Sequence, residues 1–138
     1  MEQLASLPSL QKIATVNGML DPDEHVAPYN TLHVIEDYRG YLVWRYSTGN
    51  TVELLHLDTL ERRKGYGSSL IYDMLLSVDR DKACVIYGFT RANKIEAQVF
   101  YAALGFKLKL LPDLYYPQDG VLFTQTHHTL MEKLNNVR

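Results

Sequence analysis

A chain of 138 residues with 46% hydrophobic content is long enough for one domain with a sizeable core and too short for two. Its net charge of −2 and pI near 6.2 exclude the basic surplus of a general nucleic-acid binder; a single cysteine, Cys84, excludes an internal disulfide framework, and no apolar run approaches the roughly 20 residues that span a bilayer. With no basic start and apolar signal core at its N-terminus, the expectation is a soluble cytoplasmic protein, one domain over residues 1–138, with no nucleic-acid and no membrane partner.

In chain order, residues 9–17 read as a weak helix, with Leu10, Ile13 and Ala14 on one side and Gly18 as its stop. Residues 21–30 hold Pro22 and Pro28 without periodicity and form an acidic loop. Strand-like runs over 32–36, 41–46 and 51–57 are separated by short turns, which makes an antiparallel meander. Leu70, Ile71, Met74, Leu75 and Val78 then recur at the spacing of one helical face, and the helix ends near Asp79. The run from Ala83 to Tyr87 lacks alternation, as in a strand buried on both faces of a parallel pair, so 51–89 is a βαβ unit. A second helix, about 93–104, places Ile95, Val99, Ala102 and Ala103 near one face and stops at Gly105. Strands over 106–110 and 121–125 close the chain, joined by a loop with Pro112, Tyr115, Tyr116 and Pro117.

Between the third strand and the first clear helix lies Arg62-Arg63-Lys64-Gly65-Tyr66-Gly67-Ser68. Two glycines one residue apart let the backbone approach a ligand, and the helix that follows offers free N–H groups and a positive dipole end to an anion. A Walker loop needs Lys-Ser/Thr after its glycine, whereas Ser68 and Ser69 follow Gly67; a dinucleotide fingerprint needs a third glycine where Leu70 stands. Both readings fail.

Arg62-x-x-Gly65-x-Gly67 after Leu55-His56-Leu57-Asp58 resembles the acyl-coenzyme A loop of the GNAT superfamily of N-acetyltransferases. At the expected distance, Asn93-x-x-x-Ala97-x-x-Phe100-Tyr101-x-x-Leu104-Gly105-Phe106 resembles that family's helix after its fifth strand. The resemblance covers about residues 32–125. It implies an α/β fold with a mixed sheet, a meander followed by a βαβ unit, splayed open between strands 51–57 and 83–89. It implies acetyl-CoA as cofactor and direct acetyl transfer in a ternary complex to a small-molecule or peptide amine; a homodimer is one assembly it allows. The alternative is an acyl-CoA-binding regulatory module without catalysis.

Within that resemblance, amides over about 63–68, with Arg62, Arg63 and Lys64 nearby, would hold the pyrophosphate, and a Cβ at Gly65 or Gly67 would crowd its oxygens. Backbone groups of Leu55 and Leu57 would pair with the pantothenate amides as an added strand. Asn93 would contact the cofactor arm or, alternatively, cap the helix. Tyr101 would donate a proton to the leaving thiolate, against plain packing beside Phe100. Glu53, sharing a strand face with Leu55 and Leu57, would be the base, against a solvated strand glutamate; His56 would point the opposite way. Cys84 reads as core and His127-His128 as surface, with no metal site. The resemblance places the acceptor between residues 21–30 and 112–120. Acids there, Asp21, Asp23, Glu24, Asp113 and Asp119, with Tyr29, Tyr115 and Tyr116, would favour a cationic amine.

Overall fold

The computed structural model describes residues 31–62, 64–79 and 84–137. The helix expected over 9–17, the acidic loop over 21–30, Arg63 and Ala83 lie outside the described residues. Strands β1 (His33–Asp37), β2 (Gly40–Ser47) and β3 (Thr51–Thr59) form the meander, since their short turns bring apolar stretches back alongside one another. Helix α1 (Tyr66–Ser77) returns the chain to a parallel strand, β4 (Val85–Arg91). Helix α2 (Ile95–Ala103), strands β5 (Lys107–Tyr115) and β6 (Gln118–Thr126), and helix α3 (His127–Val137) follow. Among the described residues six strands run in the order β1-β2-β3-β4-β6-β5, parallel only between β3 and β4. This is the expected mixed α/β architecture.

Burial of apolar surface decides which face is covered. Register puts Leu42, Trp44, Val52, Leu54 and Ile86 on one side of the sheet, where they pack with Leu70, Ile71, Met74 and Leu75 of α1 and Leu130 and Leu134 of α3. A buried Arg39 ties the β1–β2 turn to α1: its guanidinium meets Asp37 at 2.6 Å and Asp73 at 2.8 Å and donates to Ser69 Oγ at 2.6 Å. No helix among the described residues is long and apolar enough to cross a membrane.

Four expectations are corrected. The 112–120 loop is mostly strand: β5 and β6 pair on to Tyr115↔Gln118, so only Tyr116 and Pro117 turn the hairpin. The buried stripe of α2 is Ala97, Phe100, Tyr101 and Leu104, because the two rings remove more apolar area from water than the stripe Ile95, Val99, Ala102 and Ala103, which faces out. The strand beginning at Ala83 is not buried throughout: Cys84 is exposed just ahead of β4, its carbonyl accepting from the His127 N–H at 2.8 Å. Helix α3 has no counterpart in the sequence reading, and its first residue, His127, is buried rather than on the surface, with its Nε2 2.9 Å from the Leu75 carbonyl. Thr126 caps that helix, accepting the Thr129 N–H at 3.1 Å.

Candidate active site

The site forms where β3 and β4 part. Their pairing runs from Thr51↔Val85 to Leu54↔Gly88 and stops. There β3 carries a bulge: against β2 the register passes from Trp44↔Leu54 to Val43↔His56, so Leu55 is the extra residue and strand alternation shifts by one. Glu53 and His56 therefore lie on one face, Leu54 and Leu57 on the other, which corrects the expectation that His56 points away from Glu53. His56 instead stacks on Tyr41, ring centroids 5.1 Å apart.

Beyond the parting, Leu55 to Asp58 on one side and Phe89 to Arg91 on the other enclose a throat of about 370 Å³, with Lys94, Tyr101 and Tyr115 in its lining. Leu57, Asp58, Lys94, Ala97 and Tyr101 also line a larger cavity of about 990 Å³, so the two adjoin. The larger one runs between the start of α1 (Gly65, Tyr66, Gly67, Ser68) and the outward face of α2 (Ile95, Val99). Solvent-facing apolar residues on α2 thus have a wall to form.

Gly65 precedes α1 with φ 74, the left-handed conformation that glycine adopts without strain. The helical ladder starts at the Ser69 N–H, which donates to Gly65 O at 3.0 Å. The preceding N–H groups of Tyr66, Gly67 and Ser68 have no intrahelical acceptor, and no side chain caps the helix. Gly67 has a reason that the sequence did not reveal: a Cβ there would lie 2.9 Å from Phe100 Cζ, so α1 and α2 can approach only over a glycine. Arg62 pairs with Glu96 of α2 across the cavity mouth, and Lys64 lies 3.8 Å from Glu61 without lining either cavity. Asn93 lines the larger cavity but is not the residue that caps α2, a position held by Lys94 without a side-chain bond.

Tyr101 is 7% exposed, stacks on Phe123 with centroids 3.8 Å apart and meets Phe100 and Phe106 edge-on. Burial pushes its phenol well above the usual range, so it holds its proton firmly. Glu53 lines neither cavity. It is 1% exposed, accepting from Arg45 Nη2 at 2.9 Å and Nε at 3.1 Å and from the Tyr87 hydroxyl at 3.4 Å. Burial raises its carboxyl above the ordinary value, while Arg45 works against that rise. The charge of Glu53 also reaches Tyr115, whose phenol is raised chiefly by burial. Sequence reasoning singled out neither Arg91 nor Lys94; a basic residue at the C-terminal end of a strand of an open sheet was the available signal.

No protein-family model matches the sequence, and no curated protein matches it. Solved structures do match. The ribosomal-protein-S18-alanine N-acetyltransferase of Escherichia coli is 17% identical, with 62% of this chain and 59% of that one covered and a TM-score of 0.53. Arabidopsis thaliana NAA60 in complex with a bisubstrate analogue is 20% identical, with 64% of each chain covered and a TM-score of 0.55. A GNAT family acetyltransferase from Elizabethkingia anophelis with acetyl-CoA bound is 18% identical, with 62% of this chain and 68% of that one covered and a TM-score of 0.55. The chain spans less than two thirds of the length of the first two.

Proposed function

From the GNAT acetyltransferase fold that this chain carries, we propose that it acts as a single-domain N-acetyltransferase, moving an acetyl group from acetyl-CoA to a primary amine in a ternary complex. The observation that carries the reading is the position of Tyr101, a proton-holding phenol in the lining of both the helix-terminus cavity and the throat.

The residues present fit such a cofactor. Tyr66, Gly67 and Ser68 offer amides without intrahelical acceptors, Arg62 adds a cation at the mouth, and Leu55 and Leu57 lie on β3 past the point where β4 leaves it. In the sequence Arg63 and Lys64 extend the basic run that leads to Gly65, and Asn93 lines the same cavity. When bound, acetyl-CoA supplies an activated thioester. The protein's own contribution is proton management. Tyr101 keeps its proton at neutral pH and can offer its hydroxyl as a hydrogen-bond donor to a developing thiolate. Glu53, the base expected from the sequence, is held inside the sheet by Arg45 and lines neither cavity, so a base role for it would be indirect.

A thiol-release assay over amines, amino acids, polyamines and peptides tests the reading. Tyr101→Phe keeps nearly all the packing surface but removes the donor, so turnover should fall by a factor on the order of 100 with little change in acetyl-CoA affinity. Full turnover in that variant would return Tyr101 to the core. Coenzyme A binding without thiol release for any amine would replace the enzyme by a binding module, a reading favoured by the enclosed position of Glu53.

A further inference from the structure

The throat has a polar group that the acetyl-transfer chemistry leaves without a task. Arg91, the last residue of β4, is half-buried and lines the throat but not the larger cavity at the start of α1. Its guanidinium lies 4.4 Å from the centre of the Tyr115 ring, and its Nη1 donates to Gln118 Oε1 at 2.9 Å. Both partners come from the β5–β6 hairpin, which therefore holds the guanidinium in place from one side. Among the described residues Arg91 has no carboxylate partner, in contrast to Arg39, Arg45 and Arg62.

A guanidinium has five N–H donors in a planar fork matched to a carboxylate, and Gln118 engages one nitrogen only. Lys94 is a second cation in the same lining, which holds one acid, Asp58. A partly desolvated cation fixed by an aromatic face and an amide is arranged to receive an anion. Because Arg91 is absent from the lining of the helix-terminus cavity, its ligand belongs to the reacting end of the site rather than to the phosphates. Of the acids expected at a cation-attracting mouth, Asp119 accepts the Asp113 backbone N–H at 2.9 Å within the hairpin, and Tyr115 already faces a cation.

We propose that Arg91, seated on Tyr115 in the throat, recognises a carboxylate on one of the two reacting partners. It rests on the acetyl-transfer reading of this site. The carboxylate has two sources, the acceptor amine, as in an amino acid, or the transferred acyl group, as in a dicarboxylic half-thioester.

Two pairs of partners separate them. One compares an amino acid with its amide, both with acetyl-CoA; the other compares succinyl-CoA with acetyl-CoA on a common amine. The wild-type protein should prefer the charged member of one pair by about tenfold or more in kcat/KM. That preference should fall toward parity in Arg91→Gln and be partly kept in Arg91→Lys, which retains charge without the fork. The responding pair names the source. Disfavour of the charged member in both pairs, or an equal preference in the wild type and Arg91→Gln, overturns the proposal. A readout without turnover runs alongside: titration with N-acetylglycine and with succinate, each against its amide, following the Nε–H resonance that Arg91→Gln removes. Should no partner release thiol, the acetyl-transfer reading fails and this titration decides alone. A saturating shift with a carboxylate and none with its amide upholds the site, and no shift with either carboxylate overturns it.

Discussion

Arg45 and Glu53 face each other across β2 and β3, and their pairing sets how Glu53 titrates. Burial favours the neutral acid; the guanidinium favours the carboxylate; burial is the larger effect, so the carboxyl is raised on balance. A raised carboxyl pKa means that the folded state holds this proton more tightly than the unfolded chain. Its contribution to stability is therefore full below the unfolded value, about 4.3, and is lost as pH rises through the folded one. Replacing Arg45 by Leu removes only the opposing influence, so the Glu53 midpoint should move further up and the loss of stability should extend to higher pH. At neutral pH the stranded carboxylate should cost about 3 to 5 kcal/mol, and less near pH 5. The Glu53 carboxyl resonance and denaturant melts across pH check this. A midpoint unmoved or lowered in the variant would mean that Arg45 does not govern Glu53.

The start of α1 carries two glycines, which act for different reasons. At Gly65 a Cβ has open space but the backbone is left-handed, so Gly65→Ala should cost about 1 to 2 kcal/mol whatever surrounds it. At Gly67 the obstacle is the Phe100 ring, so Gly67→Ala should cost about 1 to 3 kcal/mol and recover part of that when combined with Phe100→Leu. Denaturant melts of the three single variants and of both glycine variants combined with Phe100→Leu form the test. Coupling at Gly65 but not at Gly67 would reverse the assignment. Both glycines were legible in the sequence as a loop signal; the reason for Gly67 was not, because it depends on a ring 33 positions away. The helical face of α1 was legible for a similar reason in reverse, since Leu70, Ile71, Met74 and Leu75 carry their own periodicity. In α2 two stripes compete, and only tertiary packing selects Phe100 and Tyr101. The bulge at Leu55 left no local mark in an unbroken apolar run, and with it went the facing of His56.

For the molecule as a whole, topology was legible because short turns imply a meander and a helical crossover implies a parallel pair. Helix α3 went unread although Thr126, Leu130 and Leu134 mark a cap and one face. The parallel contact between β3 and β4 comprises four residue pairs. The sheet is therefore two leaves, β1-β2-β3 and β4-β6-β5, bound along a short spine. On one face α1 lies on the first leaf, and α3 joins it to β6 of the second. Past Leu54 and Gly88 nothing in the backbone pairing stitches the leaves together, and the free margins fray more readily than the spine. A molecule lodged between them acts as a third strip of backing, so coenzyme A should slow amide exchange over 55–58 and leave 51–54 as it was. Protection confined to residues 65–68 would show a ligand that touches one leaf only. The same feature leaves the fold least stitched at the place where the proposed transfer would bring two reactants together, with the cleft serving as the opening edge of the book.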